Sequence, residues 1–253
     1  VVFYGNNINQ YKLNVKLFGF IPFKTADLCI IDETKLKPVG LPIGIYVKTD
    51  GILVLEAGDF KGIDGDIKAP AVALLQEGNY ILKIDGEDVN EKTVLMDKIS
   101  QSDGSPMILT IRRDDAIFDL KLFPQKNEMG EYKLGIWIRD NAQGVGTMTF
   151  IDQYNHFGAL GHGINDVDTS TLMSLKNGNL YETDIVSIKK GVSGIPGELT
   201  GVIVYNDRNK IGDILSNSKQ GIFGVVTDKF SSENCDEYMD VGLKQDVTLG
   251  PAQ

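Results

Sequence analysis

The chain has 253 residues, 42% apolar and 24% charged, a balance that supports a buried core in one or two domains and excludes a disordered polymer. Its 35 acidic and 25 basic residues give a formal net charge of −10, with the basic residues scattered along the sequence. Nucleic-acid or anionic-membrane binding as the main activity is thereby excluded, because both need a concentrated positive face.

Residues 1–35 form a β-rich N-terminal segment in which YKLNVKLFGF alternates as a strand does. The apolar run LFGFIPF at 17–23 is too short to span a bilayer and is broken by Pro22. The chain opens VVFYG without Met, as expected if a leader or an N-terminal membrane anchor has been removed.

From 36 to 124 the pattern is mixed. IGIYVKTDGILVLE, MILTIRR and FDLKLF read as strands. APAVALLQEG at 69–78 predicts a short helix closed by Gly78. NEKTVLMDKISQSDG at 90–104 predicts a second, with Val94, Leu95 and Ile99 at helical spacing before Gly104. The polar stretch PQKNEMGE at 124–131 marks a boundary. Beyond it, from 125 to 253, KLGIWIRD, TMTFID, YETDIVSI, LTGVIVYN and GIFGVVTD predict short strands with no long helix between them. That is the pattern of a barrel or sandwich.

Only two histidines are available as a neutral-pH base, His156 and His162. His156, in DQYNHFG, is expected to be solvated. His162 lies in GALGHGINDVD, where Gly161 and Gly163 leave room for a substrate backbone. On residues alone, a histidine that ends a strand and bonds a backbone carbonyl explains the same pattern more simply. Asp166 and Asp168 are close enough in sequence to orient His162, although aspartates in turns commonly cap their own backbone.

Metal chemistry finds no support. Asp166, Asp168 and Ser170 begin like a calcium loop, but Thr171 and Asn177 stand where Gly and Glu are required. There is no HExxH and no phosphate loop. Cys29 and Cys235 form neither a CxxC pair nor a zinc-ligand spacing, so no metal or cofactor is expected.

The stretch APAVALLQEGNYILKIDGEDVNEKTVLMDKI resembles a PDZ domain, which implies such a domain over 36–124. PVGLP at 38–42 and the strand after it stand where that family's carboxylate-binding loop would be. Gly40, Leu41, Pro42, Ile43 and Gly44 are therefore the expected peptide-binding residues, their backbone N–H groups capturing a chain-terminal carboxylate.

LGIWIRDNAQGVGTMTFID, FGALGHGINDVDT, KKGVSGIPGE, IGDILSNSKQGIFG and GPAQ, in that order, resemble the SpoIVB-type serine peptidases of the S55 kind. The resemblance implies an α+β plus all-β chain: a PDZ domain followed by the first-barrel portion of a chymotrypsin-like peptidase over 125–253. It implies a serine endopeptidase of sporulation signalling with His162 as general base. Such an enzyme cleaves a membrane-anchored regulator of an intramembrane protease, a checkpoint for sigma-factor activation, and processes itself. It works outside the cytoplasm, between the two membranes around the forespore. Its partner is a protein or peptide, without nucleic acid and without a cofactor.

GVSGIPG at 191–197 copies the GxSGxP of a chymotrypsin-like nucleophile, yet Ser193 is expected to sit in a turn. Two-barrel peptidases take histidine and serine from different barrels, and 31 residues separate His162 from Ser193. By the resemblance, the nucleophile and the catalytic acid fall beyond Gln253. The chain as given is then expected to be incomplete and inactive. The alternative is a non-catalytic PDZ adaptor that holds a partner peptide.

Overall fold

A computed structural model describes residues 2–7, 10–29, 34–227, 230, 237–242, 248 and 250. The chain divides into two units, Val1–Leu36 with Glu237–Gln253, and Lys37–Asp236.

The smaller unit holds an antiparallel meander of β1 (Val2–Asn7), β2 (Gln10–Leu17) and β3 (Ile21–Cys29). Its hairpin β2–β3 turns at Phe18–Gly19–Phe20, where the Phe20 N–H donates to the Leu17 carbonyl at 3.3 Å. In the same unit Leu36 and Lys35 pair with Met239 and Asp240. The side chains of Cys29 and Cys235 lie outside the described residues.

An unusually long strand, β4 (Lys35–Ala57), supplies all but its first two residues to the larger unit. The unit continues with β5 (Phe60–Lys61), β6 (Ile67–Lys68), β7 (Tyr80–Ile84), β8 (Glu87–Asp88) and α1 (Lys92–Ser100). Next come β9 (Met107–Arg113), β10 (Ala116–Leu122), β11 (Gln125–Lys126) and β12 (Tyr132–Lys133). A second long strand, β13 (Ile136–Asp152), leads to β14 (His156–Ala159), β15 (Leu175–Tyr181), β16 (Thr183–Lys189) and β17 (Glu198–Ile203). The series closes with β18 (Lys210–Ser218), β19 (Gly221–Val226) and β20 (Met239–Asp240), the last belonging to the smaller unit.

Strands pair in the order β4-β13-β14-β19-β18-β15, and β15 pairs back onto β4, so six strands close a barrel. Closure removes the unpaired edges that an open sheet would expose. Alternate residues of β4, Ile43, Ile45 and Val47, point into the barrel with Met148, Phe157, Leu180, Ile214 and Ile222. Phe157 is fully buried, as are Ile43 and Val47. Burial of such side chains contributes about 1.5–3 kcal/mol apiece.

Beyond Gly51 the same strand changes core. Ile52 and Val54 pack with Leu75, Ile81, Leu95, Ile99, Leu109 and Leu122 in a lobe built from β7, α1, β9 and β10. Gly51 sits at φ 94°, and a Cβ there would lie 2.9 Å from the Ile81 carbonyl oxygen, so only glycine fits the crossover.

The α+β lobe is therefore an insertion between barrel strands β4 and β13, where the sequence predicts a division near 36 and 125. IGIYV belongs to the barrel, and the strands predicted at IWIRD and TMTFID are one strand of 17 residues. Period-two alternation has the same appearance in one strand serving two cores as in two strands serving one each.

The helix predicted over 90–104 forms as α1. Its first turn has no side-chain cap of its own; instead Asp140 on β13 accepts the Lys92 N–H at 2.8 Å. The helix predicted over 69–78 is only a turn, with the Leu74 and Leu75 N–H groups both donating to the Ala71 carbonyl. Helix nucleation is costly, and this segment is too short to propagate.

Candidate active site

The hairpin β13–β14 is tied by Asp152. Its Oδ1 accepts from the Tyr154 and His156 N–H groups at 2.8 Å each, and its Oδ2 lies 2.8 Å from His156 Nδ1. Burial pushes the Asp152 carboxyl up, but the hydrogen bonds from the His156 ring and the two backbone N–H groups prevail and hold it below its usual value. His156, expected to be solvated, is thus an exposed ring bound to a carboxylate; the signal was an aspartate opening a turn four residues earlier.

After β14 the backbone makes two consecutive left-handed steps, at Leu160 (φ 75°) and Gly161 (φ 79°), and delivers His162. The His162 Nδ1 lies 3.0 Å from the Gly163 carbonyl oxygen. A carbonyl can only accept, so Nδ1 carries the proton and the neutral ring keeps its lone pair on Nε2. His162, itself exposed, stands at a cleft of about 200 Å³ lined by Ile45, Val47, Ala142, Val145 and Leu160 and by the polar Gln143 and Asn165. One wall is barrel core and another is the middle of β13.

The loop that follows is fixed from two sides. Asn217 on β18 accepts the Ile164 N–H at 2.8 Å and donates to the carbonyls of Ile164 at 2.9 Å and Met173 at 3.0 Å. Asp166, 1% exposed, accepts the N–H groups of Asp168 at 3.0 Å and Thr169 at 2.9 Å and pairs with Arg139. Arg139 also reaches Asp168 at 2.9 Å. Asp166 is thus committed to capping and both aspartates to the Arg139 guanidinium, and the His162 ring bonds a backbone carbonyl. Neither Asn217 nor Arg139 stands out in the sequence, since each acts on a loop far away in the chain.

Gly163 is enclosed. A Cβ there would contact Leu172 and would lie 2.6 Å from the Ser218 carbonyl oxygen. This glycine serves packing of the His162 loop against β18, where the sequence suggested space for substrate.

Ser193 occupies the turn expected of it. Val192 and Ile195 exchange backbone hydrogen bonds of 3.0 and 2.9 Å around Ser193–Gly194, with Gly194 at φ 80°. This tip joins β16 to β17 in a separate two-stranded ribbon, and Ser193 is not among the residues lining the His162 cleft.

The expected peptide-binding residues Gly40, Leu41, Pro42, Ile43 and Gly44 lie inside β4 and form no loop. Ile43 is fully buried in the barrel, and Gly44 pairs with Tyr181 beneath the Ile203 side chain. An open groove of about 380 Å³ exists elsewhere in the lobe, between α1 and the start of β13, lined by Met96, Ile99, Leu134, Ile136, Trp137 and Ile138. Trp137 is 52% exposed there.

Residues 130–253 match the family model described as SpoIVB peptidase S55. The matched span contains β13, β14, β15, β18 and β19, with β4 the barrel strand outside it. A search of curated proteins finds no match.

Proposed function

We propose, from the match of residues 130–253 to the SpoIVB peptidase S55 family model, that His162 is the general base of serine endopeptidase chemistry in a chymotrypsin-like first barrel. The observation that carries this reading is the hydrogen bond from Nδ1 to Gly163, which leaves Nε2 as the proton acceptor in a cleft. In the reaction, Nε2 takes the hydroxyl proton of a serine as that oxygen attacks the scissile carbonyl. The proton then passes to the departing amine, and a second cycle with water releases the acyl group. The serine comes from outside the barrel: among the described residues no serine hydrogen-bonds His162 or lines its cleft.

The substrate in this reading is a membrane-anchored regulator of an intramembrane protease, cleaved in the space between the forespore membranes, with self-processing preceding it. The α+β lobe acts as a PDZ-type module. Its peptide lies in the groove between α1 and β13, where the exposed Trp137 ring and the apolar side chains of Met96 and Ile136 can grip alternate residues.

Self-processing of the full peptidase tests the assignment. His162→Ala should slow it by about three orders of magnitude or more, while Ser193→Ala should process like the parent. Processing at the parental rate by His162→Ala would overturn the reading. The groove also favours a second reading, a non-catalytic adaptor. That reading predicts peptide binding to the lobe and no serine in this protein that reacts with a fluorophosphonate probe.

A further inference from the structure

The β2–β3 hairpin carries a feature that peptide hydrolysis does not use. Its tip exposes a run of large apolar side chains: Leu17 46%, Phe18 81%, Phe20 72%, Ile21 45% and Phe23 70%. Three exposed aromatic rings, two on the turn and Phe23 on the strand that leaves it, are costly in water unless something covers them.

Charge identifies what does. Residues 1–26 contain Lys12, Lys16 and Lys24 and not one Asp or Glu, in a chain with 35 acidic residues. The three lysines are exposed on the two strands that carry the aromatic tip, and none pairs with a carboxylate among the described residues. Asp27, opposite Lys12 at the far end of the hairpin, is its one acidic residue, so next to the apolar point an acidic protein carries only the positive charges of Lys16 and Lys24.

Backbone conformation gives an independent sign. Phe18 holds φ 54° next to Gly19 at φ 84°. Asn or Gly fits that left-handed position more easily than an aromatic side chain does. A phenylalanine there strains the turn while adding no burial, as expected when the side chain is kept for contact with something outside the chain.

We propose that the β2–β3 hairpin is an interfacial membrane anchor. Phe18, Phe20 and Phe23 enter the headgroup–acyl boundary, and Lys12, Lys16 and Lys24 stay in water against anionic lipid. Aromatic rings favour that depth, and lysines above it add attraction to acidic headgroups. Long lysine stems let the ammonium groups remain solvated as the tip enters. The inference is independent of the peptidase reading, since it rests on the smaller unit alone.

Co-sedimentation of the full chain with vesicles tests it, using phosphatidylcholine alone and phosphatidylcholine with phosphatidylglycerol in equal parts. Binding is expected to the anionic vesicles, to weaken with added salt, and to fall about tenfold or more in Phe18→Ser/Phe20→Ser/Phe23→Ser. These side chains are exposed, so circular dichroism and the melting temperature should match the parent. A Phe20→Trp variant should be quenched by lipids brominated on the acyl chain. Three results would overturn the proposal: no binding to anionic vesicles, equal binding by the triple-serine variant, or an unquenched tryptophan. A parent that is a dimer in sedimentation velocity, converted to monomer by the triple substitution without vesicle binding, would assign the tip to self-association instead.

Discussion

Asn217 holds Ile164 by both of its backbone groups, accepting its N–H at 2.8 Å and donating to its carbonyl at 2.9 Å. Here the residue held is two positions from His162. Asn217→Ala should destabilise the protein by about 1–3 kcal/mol, because it strands buried backbone groups of Ile164 and Met173. Hydrogen exchange should rise in residues 163–173 well before the rest of the barrel. Unchanged exchange there would show that the clasp is dispensable.

The ion pair of Arg139 with Asp166 is asymmetric: the aspartate side chain is fully buried while the guanidinium is 30% exposed. Removing the arginine leaves a buried carboxylate without its partner. Arg139→Met should cost about 3–5 kcal/mol in urea unfolding. Adding Asp166→Asn to Arg139→Met should recover part of that loss, since the uncompensated charge is gone while the amide oxygen can still accept from Asp168 and Thr169. Additive losses in the double variant would contradict this account.

Gly163→Ala should lower the melting temperature markedly, as its methyl group meets Leu172 and the Ser218 carbonyl. Leu172→Ala in the same chain should restore little, because a backbone oxygen cannot swing aside as a side chain can. Full rescue would place the strain at Leu172 alone.

Acid stability should report on Asp152. Its carboxyl is held below the usual value, so its hydrogen bonds stabilise the fold fully above the unfolded pKa of about 3.9 and are lost as pH falls through the lowered folded value. Comparison of the parent with Asp152→Asn by chemical unfolding should show a gap that is constant at higher pH and narrows only below that range. A gap independent of pH down to the acid transition would remove Asp152 from this role.

Much of the site was legible because its signals are local. Gly161 beside His162 marks a turn, Ser193–Gly194 marks a hairpin tip, and Leu95 with Ile99 marks a helix face. What could not be read depends on distant pairings. Nothing in IGIYV says that it pairs with β15, more than a hundred residues later, and so a loop is expected at Gly40–Gly44 where the structure has a continuous strand. Likewise Asp166 shows in sequence only that it can cap a turn; its engagement by Arg139 depends on β13 running past the loop. Lys16, Lys24 and the three phenylalanines are separate letters in the sequence, and they share one surface element only because β2 and β3 pair as a hairpin.

The continuity of β4 gives the protein a lever. Ile45 and Val47 form part of the wall beside His162, and Ile52 and Val54, a few residues farther along the same strand, are pinned in the core of the lobe that carries α1. At about 3.3 Å per residue the span from Val47 to Ile52 is only some 17 Å of nearly inextensible backbone. Any rocking of the lobe must either be absorbed as torsion at Gly51 or arrive at the wall of the cleft. The glycine at φ 94° is thus the point where the stiffness of the linkage is set.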